Sequence, residues 1–492
     1  MAFEGLLVLM KVAPDRLSTF LGPWAVGTGP LYARLARALA AAIDRGELGV
    51  GDVLPTERDL ARRLELSRTT VVGAYGELKE AGRLDSRQGR GTWVRASDAP
   101  PSGERPFSAE LYSGLLHQDA DMIELTAACP PATSVVGRVL SGMSGAALAQ
   151  EVHGTGYHPA GLPELRRAVA ALMTAEGVAS GSEEILITTG AQQAIGLVAT
   201  LLGERGSPVL TEEVTYPGVL DIVRGAGMRP IGIPLDERGI VPEALEDLLE
   251  RVRPRFVYLV PAHQNPTGSV LSERRSRLVA EMAARSRVPV VEDLALRRLG
   301  MDGRPMPAPI AAHAPEAVIS IGSVSKVLWA GLRIGWIRAP HATVERLVRL
   351  KIAADMGTSV LSQHLAARVL PSMDEATEER RRHLIEGYDA LSGALAEHLP
   401  EWTWEPPRGG CTLWVRLPSG DARAFGQVAQ RCGVNVVPGP VLSAEGGHGD
   451  RLRIPFVHEP PVIAEAVRRM ATAWDLYAGR GARMERGETL IV

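Results

Sequence analysis

Apolar side chains recur at Leu31, Leu35, Leu39 and Ile43 between Pro30 and Gly46, the spacing of one helix face, and Pro30 suits the first turn. After a turn at 49–51, Thr56 can cap a second helix over 57–66, and Ser67 can cap a third over 68–81 that stops at Gly82. A strand over 84–87, the turn Gly89-Arg-Gly and a strand over 92–94 complete a β-hairpin. Three helices and a hairpin predict a winged helix-turn-helix whose third helix is placed to enter a major groove.

A different pattern begins beyond residue 123. Apolar runs at 184–189, 208–211, 256–260, 288–291 and 317–321 alternate with helical periodicity, which predicts a largely parallel α/β sheet covered on both faces. Between the two patterns, residues 96–123 open on Ser-Asp-Ala-Pro-Pro-Ser-Gly and have the composition of a linker. The chain thus divides into an extension at 1–29, the winged helix at 30–95, the linker at 96–123, the α/β domain at 124–475 and a tail at 476–492.

Composition narrows the class. With 45% hydrophobic and 23% charged residues the chain is globular, and a net charge of −3 offers no global attraction to a polyanion. Residues 31–95 are the exception, with 12 Arg and Lys against 9 Asp and Glu. Within them Arg58 and Arg62 lie on the second helix, Arg68, Thr69 and Thr70 start the third, and Arg87 and Arg90 flank the turn at Gly89, all sites suited to phosphate and base-edge contacts. The 3 cysteines, Cys129, Cys411 and Cys432, lack metal-ligand spacing; they are expected to pack in a reduced, cytoplasmic protein without a metal site. The apolar stretch at 3–10 is too short to span a membrane and has no basic residue before it, so neither an anchor nor a leader is expected.

Of 54 cationic residues only Lys11, Lys79, Lys326 and Lys351 are lysines. In so arginine-rich a chain, a lysine amid Ser323, Ser325 and Arg333 suggests a nucleophilic amine, which a guanidinium cannot supply. Polar motifs also follow the apolar runs: Thr189-Gly-Ala-Gln-Gln, His263-Gln-Asn-Pro-Thr-Gly, Glu292-Asp293 and Ser323-Val-Ser-Lys326. All four have a use if the ligand is an aromatic aldehyde phosphate. Gly190, Ala191 and Gln192 would hold the phosphate at a helix start with Ser323, Ser325 and Arg333, and Lys326 would form an aldimine. Asp293 would pair with the pyridine nitrogen, Asn265 would donate to the phenolic oxygen, and Tyr216 would stack on the ring.

Two resemblances gather these motifs. Leu54-Pro-Thr-Glu-Arg-Asp-Leu-Ala, Leu66-Ser-Arg-Thr-Thr-Val and Leu84-Asp-Ser-Arg-Gln-Gly-Arg-Gly-Thr-Trp-Val resemble the DNA-binding domain of the GntR family. This implies double-stranded DNA contacts by Arg58, Ser67, Arg68, Thr69, Thr70, Arg87, Gly89 and Arg90. Residues 124–475 resemble the fold-type I aspartate aminotransferase superfamily through Gly156-Tyr-His-Pro-Ala-Gly, Thr189-Gly-Ala-Gln, Tyr216-Pro-Gly, Asn265-Pro-Thr-Gly, Asp293, Ser323-Val-Ser-Lys with Gly331-Leu-Arg, and Leu452-Arg-Ile-Pro. That resemblance implies a large α/β domain with a mostly parallel sheet, a smaller C-terminal α+β subdomain, and pyridoxal phosphate on Lys326. It also implies Tyr157 reaching a partner subunit's phosphate and Arg453 gripping an effector carboxylate. One position departs from the family: Ala295 stands where a tyrosine usually donates to the cofactor's phenolic oxygen.

Joined in this order, the two domains resemble the MocR/GabR regulators, which implies a head-to-tail homodimer that binds an operator and senses an amino compound, pyridoxal phosphate or both through the aldimine on Lys326. A catalytically active aminotransferase, acting on an amino acid and a 2-oxo acid, is the alternative, and a regulator retaining a transaminase half-reaction lies between them. A cofactor-free dimerisation domain is a third reading.

Overall fold

The computed structural model describes residues 30–44, 52–64, 66–87, 91–94, 121–143 and 154–485, with Leu17, Leu21, Trp24 and Leu48; side chains are described as far as residue 478. Gly89, Arg90, nearly all of the extension 1–29 and residues 96–120 of the linker lie outside the described residues. The chain divides into two compact units, 1–105 and 106–492.

In the first unit, helix α1 (Leu31–Asp44) is followed by strand β1 (Val53–Leu54), helices α2 (Glu57–Arg63) and α3 (Arg68–Glu80), and strands β2 (Leu84–Arg87) and β3 (Gly91–Val94). The Thr56 hydroxyl accepts from the Asp59 N–H at 3.2 Å and the Ser67 hydroxyl from the Thr70 N–H at 3.1 Å, so both expected caps are made. Strand β1, too short to show in the pattern, pairs with β3 and makes the hairpin a three-stranded sheet. Leu31 departs from its expected place. It is 43% exposed, and α1 packs through Leu35, Ala36, Leu39 and Ala42, because Leu31 lies a turn beyond the apolar side chains that close the core.

Tyr75 pins α3 to the loop before α2. Its buried hydroxyl donates to the Pro55 carbonyl at 3.0 Å, and burial raises its pKa. Tyr75→Phe strands that buried carbonyl, and the expected cost is about 1–3 kcal/mol, read as an earlier unfolding transition of this unit by calorimetry of the whole chain.

The second unit is built on a seven-stranded sheet. Its strands are β5 (Ile185–Thr188), β6 (Pro208–Glu212), β7 (Arg229–Ile233), β8 (Val257–Leu259), β9 (Val290–Asp293), β10 (Val318–Ser323) and β11 (Gly335–Arg338), in the spatial order β5-β11-β10-β9-β8-β6-β7. All pairs are parallel except those made by β11, which is antiparallel to both β10 and β5. Successive residues pack on opposite faces, Ile185 and Ile187 in one layer and Leu186 in the other, so burial of both faces explains the unbroken apolar runs. A second, four-stranded antiparallel sheet orders Thr403–Trp404, Thr412–Arg416, Arg451–Pro455 and Val437–Pro438.

Two boundaries shift. Ile123, expected in the linker, forms strand β4 (Ile123–Glu124) with Val434–Asn435. The last helix, Pro460–Glu485, runs past residue 475, and Tyr477, expected in a tail, packs on Trp474 and Phe425 while its hydroxyl accepts from the Asp421 N–H at 2.8 Å.

Candidate functional site

In the second unit the polar motifs sit at the carboxyl ends of β5, β8, β9 and β10, where an open α/β sheet leaves backbone free to meet a ligand. After β5 the chain turns at Gly190, with φ at 124°, into helix α4 (Ala191–Leu202), whose first N–H groups have no partner within the helix. A Cβ at Gly190 would lie 3.3 Å from an Arg333 guanidinium nitrogen, a tight contact, and the positive φ itself favours glycine there. Strand β11 runs beneath the same turn, and a Cβ at Gly335 would fall 2.7 Å from the Gly190 carbonyl carbon. The Ser323 hydroxyl donates to Ser325 Oγ at 2.9 Å and holds the turn that carries Lys326.

Asp293 ends β9 fully buried. Tyr258 Oη donates to its Oδ2 at 2.7 Å and the Ala295 N–H to its Oδ1 at 2.9 Å; burial raises its pKa against these bonds and the nearby Lys326 charge. Ala295, which lacks the usual phenol, therefore supplies its backbone to fix the aspartate. Glu292 points to the other face and accepts from Ser320 Oγ at 2.7 Å and the Ile310 N–H at 2.7 Å, a structural role.

Asn265 is positioned by its neighbour. Gln264 Nε2 donates to Glu212 Oε2 at 3.0 Å and to the Val214 carbonyl at 2.6 Å, while its Oε1 accepts from Thr267 N–H and Oγ1, locking the loop. The Asn265 Oδ1 is buried without a hydrogen-bond partner among the described residues. His263, in the same loop, is buried with neither ring nitrogen bonded among the described residues, and burial holds its pKa down to about 4. Gln192 and Tyr216 meet over Gly218, where a Cβ would lie 2.4 Å from both side chains. Tyr157 stands apart, 62% exposed.

Burial pushes the Glu212 carboxyl up to about 8, although Gln264, Val260 and Thr215 all donate to it. A carboxyl whose pKa rises on folding stabilises the fold while protonated; that stabilisation is complete below the unfolded Glu value and disappears as pH climbs through the folded one. The unit's melting temperature is expected to fall between about pH 4.5 and pH 8, and Glu212→Gln to flatten that slope in thermal scans.

The segment linking Lys326 to Arg453 was missed by the sequence reading. Lys326 Nζ donates to the Ala128 carbonyl at 2.7 Å and lies 3.3 Å from Cys129 Sγ, and the buried Arg453 guanidinium donates to the Thr126 carbonyl. Cys129 is exposed here and does not pack as expected; Cys411 is buried. Lys351 was also missed. Fully buried, it donates to Gln193 Oε1 and both Asp355 oxygens at 2.9 Å, and Gln193 Oε1 accepts from the Thr189 N–H, so an ion pair between a buried lysine and a surface aspartate braces the turn at Gly190. The remaining lysine was the only cue to it in the sequence.

In the first unit Arg58, Ser67, Arg68, Thr69 and Arg87 are exposed and Thr70 is half-buried. The Ser67 hydroxyl is engaged at the cap, 2.8 Å from Thr69 and Thr70 hydroxyls, so it orders the start of α3. Among the described residues no helix is long and apolar enough to cross a membrane, and no cluster of metal-ligating side chains is present.

Comparison with known proteins agrees with this geometry. Residues 31–94 match the bacterial regulatory proteins of the gntR family, and residues 131–470 match the aminotransferase class I and II family. The uncharacterized HTH-type transcriptional regulator YdfD of Bacillus subtilis is 31% identical over 446 residues, 86% of this chain and 92% of that protein. The MocR protein of Rhizobium meliloti is 28% identical over 88% of both chains. Among solved structures, LysN, an alpha-aminoadipate aminotransferase of Thermus thermophilus complexed with N-(5'-phosphopyridoxyl)-L-leucine, superposes with a TM-score of 0.66 at 31% identity, covering 80% of this chain and 96% of that one. A gntR-type helix-turn-helix read from one unit and an aminotransferase fold read from the other thus meet in a single chain, which belongs to the MocR-type transcriptional regulators and, through its larger domain, to the aminotransferase class I and II family.

Proposed function

We propose that this regulator carries pyridoxal phosphate at Lys326 and uses it to sense an amino compound, thereby changing its grip on DNA. The observation that carries this is the meeting of three groups at neighbouring strand ends: the Lys326 amine, the buried Asp293 carboxyl, and the bare turn at Gly190 flanked by Arg333. The residues fit the cofactor. Gly190 leaves room for a phosphate against free N–H groups and a guanidinium, and Asn265, in a loop fastened by Gln264, carries an amide nitrogen that can donate to a phenolic oxygen.

When bound, pyridoxal phosphate supplies an aldehyde that condenses reversibly with primary amines and a ring that withdraws electrons. Lys326 supplies the amine and gives up its bond to the Ala128 carbonyl in doing so. Asp293, held by Tyr258 and Ala295, keeps a proton on the ring nitrogen. Gly190, Ala191, Gln192, Ser323, Ser325 and Arg333 would hold the phosphate, Tyr216 would cover the ring, and Arg453 would receive an effector carboxylate. Tyr157, exposed in the single chain, reaches a second subunit in a head-to-tail homodimer, and the protein works in the cytoplasm. An effector amine would compete with the Lys326 amine for the aldehyde, and the two states would differ in their affinity for paired DNA half-sites.

The test is a spectral titration of the cofactor-loaded chain with amino acids and polyamines, followed by DNA binding with each compound that shifts the spectrum. The reading requires at least one compound that changes both signals. Repeated release of a 2-oxo acid, with DNA affinity unchanged, would assign the chain to turnover.

A further inference from the structure

Helix α3 carries Val71, Ala74, Tyr75 and Leu78 in the core, but Val72 is 48% exposed. Positions 68 and 72 are one turn apart and 69 and 72 share the same face, so Arg68, Thr69 and Val72 form a single exposed strip. The strip continues into Gly76, where an added Cβ would meet nothing within 4 Å, so packing inside the unit does not require a glycine there. Exposed cations surround the strip: Arg58, Arg62 and Arg63 on α2, Arg68 itself, and Arg87 at the end of β2. Asp59 pairs with Arg62 at 3.6 Å, and the other exposed acids of these elements are Glu77 and Glu80 at the far end of α3 and Asp85 on β2. The start of α3 and the exposed side of α2 therefore offer mainly cations and one branched apolar group.

A polyanion with an apolar spot matches that surface. In the major groove the single apolar group presented by any base pair is the 5-methyl of thymine, while every other base edge offers donors or acceptors that a valine would desolvate without compensation. We propose that Val72 reads a thymine 5-methyl group, favouring an A·T pair at one position of each half-site. One helical turn advances about 5.4 Å against about 3.4 Å per base pair, which sets that pair within about two steps of the one contacted by Arg68. The proposal rests on the DNA-binding reading of this unit.

The experiment uses the full-length chain. Duplexes are selected from a random-sequence library, and each thymine of the best-bound duplex is replaced singly by deoxyuridine, which lacks only the methyl group. Affinity is measured at fixed salt by fluorescence anisotropy. One thymine per half-site is expected to weaken binding about fourfold when replaced, the worth of one buried methyl group, and Val72→Ala is expected to erase that difference while leaving the chain folded. Indifference to every replacement overturns the proposal, as does a penalty that persists in Val72→Ala and Val72→Ser. If Val72→Ala instead alters the sedimentation profile, Val72 serves a protein contact and the proposal falls. Failure to select any duplex, with no salt-sensitive binding, overturns the DNA-binding reading itself and is distinct from loss of methyl discrimination alone.

Discussion

Lys326→Ala is expected to give a folded chain that stays colourless with pyridoxal phosphate: no visible band beyond that of the free cofactor, and no adduct fixed by borohydride. The loss should be complete because no other lysine of this unit can take over. The chain has four, and Lys351 is fully buried with its amine committed to Asp355 and Gln193. The structural cost of the substitution is small, since the bond given up runs from a half-buried amine to the Ala128 carbonyl, worth about 1 kcal/mol. Mass spectrometry after reduction separates the outcomes: a modified Lys351, or an adduct of undiminished yield, would remove Lys326 from the centre of the site.

Arg68→Ala should weaken specific DNA binding by about 1–3 kcal/mol, roughly 5- to 160-fold, if its fork spans a base edge at the start of α3. Arg68→Lys is the sharper variant. It keeps the charge and most of the salt dependence but loses the planar fork, so discrimination between selected and scrambled duplexes should collapse while non-specific affinity is largely kept. Equal specificity for both variants and the parent chain would place Arg68 on the phosphate backbone or off the DNA altogether.

Much of this architecture was legible because it is local. Thr56 and Ser67 announce helix starts through short-range hydrogen bonds, and the runs at 208–211, 256–260 and 317–321 are apolar throughout because both faces of the sheet are covered. The motifs around Gly190, Asn265, Asp293 and Lys326 were visible because strand ends are where polar residues interrupt those runs. What escaped depends on distance along the chain. Ala128 meets Lys326 across nearly two hundred positions, and the Lys351–Asp355 pair matters through Gln193 on another helix. Gln264 reads as a spacer between His263 and Asn265, yet it fastens the loop to Glu212 and Val214. Strand β11 was hidden for another reason: it follows the Lys326 motif without a pause in hydrophobicity, and nothing in its composition marks it as antiparallel.

The stretch Thr126–Cys129 follows directly on β4, the first strand of the second unit among the described residues. The backbone that touches both Lys326 and Arg453 is thus the segment leaving that strand. An event that frees the Lys326 amine from the Ala128 carbonyl would therefore be felt first by the backbone that leads out of β4.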